Sequence, residues 1–127
     1  MTHADMSTWS QEQVRADLEA TSRVIRDAVP GAKIPYFRAP FGAWGGTPEV
    51  AAELGMQPLG WRFAVEDWEE PGEDVLFDRL VERSTPGAVV LLHDGGGDRS
   101  GTVGAVERLI PALREQGWSF TLPERVG

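Results

Sequence analysis

The chain has 127 residues, 41% of them hydrophobic and 25% charged, which is the size and composition of one globular domain. It contains no cysteine, so a disulfide scaffold, a thiol nucleophile and a Cys-ligated metal are excluded, and any metal would need His, Asp or Glu. Its formal charge of −8 argues against non-specific binding to nucleic acid or to an anionic membrane.

The first sixty residues predict two helices and a strand. Ser10 begins a capping box, and apolar side chains then recur at helical spacing, so we expect a helix over residues 10–29. A short aromatic stretch bounded by prolines predicts a strand at residues 35–38. Thr47 is the expected N-cap of a two-turn helix that stops at Gly55.

The second half predicts three strands and two helices. Alternating apolar side chains indicate a strand at residues 59–65, and an apolar helical face follows over residues 74–84. The continuous β-branched run at residues 88–92 is typical of a parallel strand that is covered on both faces. We expect Thr102 to cap a last helix, and residues 118–122 to form the last strand.

This alternation of helices and strands predicts an α/β fold with about four parallel strands in a single domain, residues 1–127. No stretch approaches the roughly 18 apolar residues of a membrane span, and the polar first residues do not resemble a signal peptide. The sequence therefore predicts neither a membrane partner nor a nucleic-acid partner.

Polar side chains follow three of the predicted strands. Arg38 ends the first, Asp67 follows the second, and His93 follows the third. Because reactive groups gather at the carboxyl ends of parallel strands, we expect these three side chains to face a common cleft. A lone histidine after an apolar strand more often packs than catalyses, but the conjunction with Arg38 and Asp67 favours a functional site.

Four segments resemble the motifs of one enzyme family. Residues 36–42, 61–72 and 89–94 are similar to the third, fourth and fifth motifs of the polysaccharide deacetylase family, also known as the NodB homology domain or carbohydrate esterase family four. Residues 2–6 are similar to the end of its second motif, a His-x-x-x-His pair. The resemblance runs in order over nearly the whole chain.

The resemblance implies a partial irregular (β/α) barrel and an activity. Family members remove acetyl groups from N- or O-acetylated carbohydrate by hydrolysis with a divalent metal such as zinc or cobalt, which polarises the carbonyl and activates a water. They are commonly exported, which implies an extracellular or cell-envelope location. The implied partner is an acetylated carbohydrate.

The resemblance also implies catalytic roles for single residues. His93 would be the general acid that protonates the leaving amine, because an imidazole can hold and release a proton near neutral pH. Asp67 would hold that imidazole, and Arg38 would orient the basic aspartate. His3 would be a metal ligand.

Four further residues are implied in substrate binding. The backbone N–H near Phe41 would help to hold the oxyanion, while Trp68 and Leu91 would wall the acetyl pocket. Trp44 and Trp68 are expected at the rim of the groove, where contact with a sugar and ordinary packing are equally expected.

The sequence also departs from the family pattern. The first motif, with its Asp-Asp pair, and the first metal-binding His would both precede Met1, so the metal site is expected to be incomplete and the isolated chain inactive or nearly so. Ala64 stands where the fourth motif usually begins with an aspartate. Asp5 and Asp94 could serve as substitute ligands, although a role as caps or loop ends is favoured.

Two alternatives to an enzyme stay open. The chain could be a non-catalytic remnant that binds glycan or assembles with a partner. A flavodoxin-like module that binds an anion at Gly95–Gly97 is disfavoured, since no phosphate-loop lysine follows. Because the family's early strands are not matched, an open sheet edge is expected, and two chains could pair as a homodimer that completes the sheet.

Overall fold

The computed structural model describes residues 3–123, which form two compact units, residues 3–60 and residues 61–123. Each described unit contains two α-helices, a short 3₁₀ helix (Pro40–Gly42 in the first, Asp67–Glu69 in the second) and one parallel pair of strands. The prediction of an α/β chain with parallel strands is therefore confirmed. The assignment of residues 1–127 to a single domain stays a prediction, as does the barrel.

The first unit opens with helix α1, Gln11–Ala28. The predicted capping box is present: the Gln13 N–H donates to Ser10 Oγ at 3.2 Å, and the Ser10 N–H donates to Gln13 Oε1 at 3.0 Å. Val14 and Leu18 are buried on one face of the helix. No helix within residues 3–123 combines the length and the apolar character that crossing a membrane requires.

Strand β1 (Tyr36–Phe37) pairs in parallel with strand β2 (Gln57–Pro58), and helix α2 (Thr47–Glu53) connects them. The predicted N-cap is displaced by one residue. Thr47 is already helical, and its hydroxyl donates to the Trp44 carbonyl at 2.5 Å, so it does not accept a capping bond. The buried core of this unit consists of Met6, Val14, Leu18, Phe37, Ala39, Val50, Ala51 and Met56.

The prediction of a strand within residues 59–65 is confirmed, but its bounds are wrong, because only residues 63–64 form it. Residues 57–58 pair with β1, whereas strand β3, Phe63–Ala64, pairs in parallel with strand β4, Val90–Leu91, in the second unit. The alternation of apolar and polar residues over residues 59–65 predicts which side chains point inward. The bounds of a strand depend instead on which residues form hydrogen bonds with a neighbouring strand.

The second unit packs helix α3 (Glu73–Arg83) against helix α4 (Ser100–Glu115). Its buried core consists of Val65, Leu76, Leu80, Ala105, Leu109 and Leu113. Strand β4 was predicted to be buried on both faces. In the structure Leu91 is buried, but its neighbours Val90 and Leu92 are only half-buried. Helix α4 starts before Thr102, which lies in its first turn rather than at its N-cap.

The predicted last strand is also wrong. Residues 118–122 form no strand in the structure, and the Trp118 N–H donates to the Leu113 carbonyl at 3.0 Å, as part of the end of α4. The alternation of Trp118, Phe120 and Leu122 leaves Phe120 and Leu122 exposed. An alternating sequence forms a strand only where another strand accepts and donates its backbone hydrogen bonds.

Candidate functional site

The register of β3 and β4 brings Asp67 and His93 together. Ala64 pairs with Leu91 at the carboxyl ends of the two parallel strands. Asp67 comes three residues after Ala64 and His93 two residues after Leu91, so both side chains emerge at the same edge of this sheet. The predicted convergence of these two residues is confirmed.

Asp67 is 1% exposed, and its carboxylate accepts three hydrogen bonds. Its Oδ1 lies 2.8 Å from Nδ1 of His93, and its Oδ2 accepts the His93 backbone N–H at 2.7 Å. The Thr102 hydroxyl reaches the same Oδ2 at 3.3 Å. A buried carboxylate is tolerated only with such a set of donors, so Asp67 is held in one orientation.

These contacts determine which nitrogen of His93 is available. With the carboxylate at Nδ1, that nitrogen carries the proton, and Nε2 is the atom left for chemistry. Within the described residues no hydrogen-bond partner is found at Nε2, and the His93 side chain is 33% exposed. The pair can therefore donate a proton from Nε2 when the ring is charged and accept one when it is neutral.

The segment that carries Asp67 has an unusual backbone. A short 3₁₀ helix, Asp67–Glu69, is flanked by Glu66 and Glu70, both at φ 53° in the left-handed region. Non-glycine residues seldom adopt this conformation, which costs roughly 1–2 kcal/mol each. Glu66 is held by Arg79 and Arg83 of α3, at 3.4 and 3.5 Å, so tertiary contacts compensate the strain there.

Two predicted pocket residues lie beside the pair. The Trp68 ring and the His93 ring are perpendicular, with centroids 5.8 Å apart, and Trp68 is 45% exposed. Leu91 is buried in β4. Their predicted roles as walls of an acetyl pocket stay predictions.

The other predicted residues belong to the first unit. Arg38 is exposed directly after β1. Phe41 is exposed and has φ 58°, and its ring meets the His3 ring with centroids 4.7 Å apart. Trp44 packs on the core of its unit, edge to face with Phe37, with ring centroids 6.2 Å apart. Of the two alternatives expected for Trp44, contact with a sugar and ordinary packing, this agrees with packing. The roles of Arg38, Phe41 and Trp44 in catalysis or binding stay predictions.

The described residues do not fit a divalent metal. Within residues 3–123 no group of three or more His, Cys, Asp or Glu side chains is placed to hold one. His3 contacts Phe41, and a single imidazole does not hold a divalent ion in a defined geometry. Asp5 accepts the Ser7 N–H at 2.9 Å, as expected of a loop residue, and the Ser7 hydroxyl and N–H lower its pKa. The metal and its ligand His3 stay predictions.

The sequence did not reveal two residues of the site. Thr102 was expected to cap a helix but donates to Asp67, and Arg99 is a buried guanidinium that donates to the Asp67 backbone carbonyl at 2.9 Å. Both lie more than thirty positions from Asp67, so no local pattern indicates either contact. The only available signal is their place in the first residues after the glycine loop at Gly95–Gly97.

Comparison with known proteins supports the family. The model of the family described as polysaccharide deacetylase matches residues 1–59. A chitooligosaccharide deacetylase from Sinorhizobium fredii is 34% identical over 98% of this chain, and the chain spans 63% of that relative. Over nearly its whole length, the chain is therefore similar to members of the polysaccharide deacetylase family.

Solved structures of the family agree with the fold. A carbohydrate esterase family four pseudoenzyme from Bacillus anthracis has a TM-score of 0.83 and 33% identity, over 92% of this chain and 40% of the other. A mutant of that pseudoenzyme with restored enzymatic activity has a TM-score of 0.82 and 34% identity, over 91% of this chain and 41% of the other.

Proposed function

We propose that the protein is a hydrolase that removes acetyl groups from N- or O-acetylated carbohydrate, and that this chain supplies the acid of the reaction. The observation that carries the proposal is the buried Asp67 carboxylate on Nδ1 of His93, which leaves Nε2 free. Among relatives, it is supported by a chitooligosaccharide deacetylase that is 34% identical over 98% of this chain.

Deacetylation by hydrolysis needs a proton for the leaving group. When water has added to the acetyl carbonyl, the bond from carbon to the sugar nitrogen or oxygen breaks, and its electron pair stays on the leaving atom. Nε2 of the charged His93 ring gives its proton to that atom, and the ring becomes neutral. Nδ1 keeps its proton throughout, because it donates to Asp67.

The surroundings of the pair suit this role. Asp67 fixes the His93 ring because its carboxylate contacts His93 twice, once at Nδ1 and once at the backbone N–H. The partly exposed Trp68 offers an apolar surface beside the imidazole, on which an acetyl group or a sugar face can pack. The base that takes the proton of the water is not part of this pair.

Acetate release tests the proposal. The full chain is incubated with an acetylated chitooligosaccharide or with acetylxylan, with zinc or cobalt added, and compared with His93→Ala. We expect turnover that His93→Ala lowers by about 10²-fold or more, the usual size of general acid–base catalysis. Asp94→Ala, an exposed carboxylate next to His93, is the matched control and should keep the activity. Equal rates for both variants would contradict an acid role for His93.

The second candidate is a non-catalytic remnant that binds glycan. It is favoured by the likeness to a family pseudoenzyme and by a donor set that does not make a metal site within residues 3–123. In this case the unsubstituted chain releases no acetate with either metal but still binds the acetylated chitooligosaccharide in calorimetry. Trp68→Ala should then weaken binding, because its ring is exposed beside His93.

The proposed assembly is a homodimer. It is supported by the segment at residues 118–122, which forms no strand and carries exposed apolar side chains at Phe120 and at Leu122, the latter 86% exposed. Exposed apolar side chains that lie close together are a usual contact site for a second chain.

A further inference from the structure

Arg99 carries a buried charge whose position the proposed reaction does not explain. Its side chain is only 8% exposed, and all three nitrogens of the guanidinium donate to backbone carbonyls. Nε donates to Gly95 at 3.1 Å, Nη2 to Gly96 at 3.0 Å and Nη1 to Asp67 at 2.9 Å. Burying a guanidinium is costly unless its donors are used, and here they are used on three carbonyls.

These carbonyls belong to the two segments that carry the Asp67–His93 pair. One is the backbone of Asp67 itself, and the other two lie in the loop two and three residues after His93. A planar guanidinium fixes the relative position of its acceptors, since its donors form a rigid fork. Arg99 therefore links the segment of the carboxylate directly to the segment of the imidazole.

A second residue strengthens this link. Glu70, three residues after Asp67, accepts the Asp98 N–H at 3.1 Å and lies 3.8 Å from Nη1 of Arg99. Gly97 permits this approach, because a Cβ at that position would lie 2.6 Å from Oε1 of Glu70. The carbonyls of the glycine loop face the chain's own cation, which also disfavours the alternative of an anion site there.

We propose that Arg99 is a positioning residue that holds the Asp67 carboxylate and the His93 imidazole in the geometry that proton donation needs. The proposal rests on the proposed function for the importance of the pair, but the geometry can be tested without activity. When Arg99 is lost, the Asp67 backbone and the loop after His93 can move apart. The bond from Nδ1 to Asp67 then loosens, and the neutral ring no longer keeps its proton on Nδ1.

The first measurement is the tautomer of His93. Ring ¹⁵N spectra of the full chain at alkaline pH should show the proton of His93 on Nδ1, and Asp67→Asn supplies the spectrum of the broken pair. We expect Arg99→Ala to give a mixture of tautomers and faster exchange of the Nδ1 proton. Added guanidinium chloride, at concentrations below those that unfold the protein, should restore the wild-type spectrum. Arg108→Ala, which removes an exposed guanidinium from helix α4, should leave the spectrum unchanged.

The second measurement is the rate of acetate release. Arg99→Ala should lower kcat by about 10- to 100-fold with little change in KM, because a small displacement of an acid acts on the chemical step. Arg99→Lys keeps the positive charge but lacks the planar set of donors, so its kcat should lie between those of the wild type and of Arg99→Ala. If Arg99→Ala does not fold, Arg99→Lys provides the same comparison.

The outcomes separate the two proposals. A folded Arg99→Ala or Arg99→Lys protein with the wild-type tautomer and Nδ1 exchange overturns the positioning role. A changed tautomer that guanidinium restores, in a chain that never releases acetate, supports the positioning role and counts against the proposed function.

Discussion

Asp67 illustrates how one residue can carry much of a site. Its carboxylate satisfies a backbone N–H and an imidazole of His93 and the hydroxyl of Thr102, while its own carbonyl accepts from Arg99. A buried acceptor that loses its place leaves its donors without partners, at roughly 1–3 kcal/mol for each. Replacing Asp67 by alanine would therefore threaten the fold of this unit, and asparagine is the informative substitution because it preserves the shape.

Positive φ angles mark further residues where the backbone is constrained. Phe41, Glu66 and Glu70 adopt the left-handed region without being glycine, and all three lie in or beside segments matched to family motifs. Such conformations persist where surrounding contacts compensate them, and they concentrate at functional sites.

Gly45 gives a test of backbone constraint at a single residue. It has φ 46°, and a Cβ there would collide with the backbone of Ser7, so Gly45→Ala requires a shift of the chain. Gly31 has φ 81° but nothing within 4 Å of its Cβ position, so Gly31→Ala carries only the conformational cost. We expect Gly45→Ala to lower the free energy of unfolding by about 1–3 kcal/mol more than Gly31→Ala, the usual cost of overpacking. Urea unfolding of both variants measures the difference, and equal losses would contradict the close approach of residue 45 to residue 7.

At the scale of elements, the N-terminus of α4 combines a carboxylate that accepts the first helical N–H with two contacts to the site. Asp98 accepts the Ser100 N–H at 2.9 Å immediately before the helix, and Thr102 and Arg99 reach Asp67 from the same turn. A carboxylate at a helix N-terminus is favoured by the helix dipole as well as by its hydrogen bonds. The start of α4 should therefore respond to the charge of Asp98.

The pH dependence of stability tests the role of Asp98. The Ser100 backbone N–H, and then its hydroxyl, lower the pKa of Asp98 from its usual 3.8. Its contribution to stability is therefore fully present above that usual value and is lost as the pH falls through the lower pKa of the folded state. We expect Asp98→Ala to have a lower Tm than the wild type at neutral pH, and the gap to close in acid.

Asp94→Ala is the control for this prediction, because it removes an exposed carboxylate from the preceding loop. Its Tm should follow that of the wild type through the same pH range. A gap for Asp98→Ala that persists unchanged in acid would show that the charge of this carboxylate does not stabilise the start of α4.

Elements also show what the sequence could and could not predict. Helix α1 was predictable because Ser10 and its capping box are local, and the meeting of Asp67 with His93 was predictable because both follow parallel strands. The strand at residues 118–122 was not, because alternation reports which side chains are apolar and not whether a strand lies beside them. Arg99 was missed for a related reason, since its partner lies 32 positions away.

At the scale of the whole molecule, charge and apolar surface have opposite effects on self-association. The net charge of −8 opposes the approach of two copies, particularly at low ionic strength. The exposed side chains of Phe120 and Leu122 favour it, and burying each would contribute about 1.5–3 kcal/mol. Salt should therefore strengthen a homodimer that forms through this segment.

Light scattering tests the proposed homodimer through the residues that would form it. The wild-type chain should have the mass of a dimer at micromolar concentration, and Phe120→Asp should have that of a monomer, because it places a carboxylate in the apolar segment. Val103→Asp makes the same change at an exposed residue of α4 and should remain dimeric. A wild-type chain that is monomeric at both low and high salt would contradict pairing through residues 118–122. At high salt the repulsion between two negatively charged copies is screened, so it could not explain the absence of a dimer.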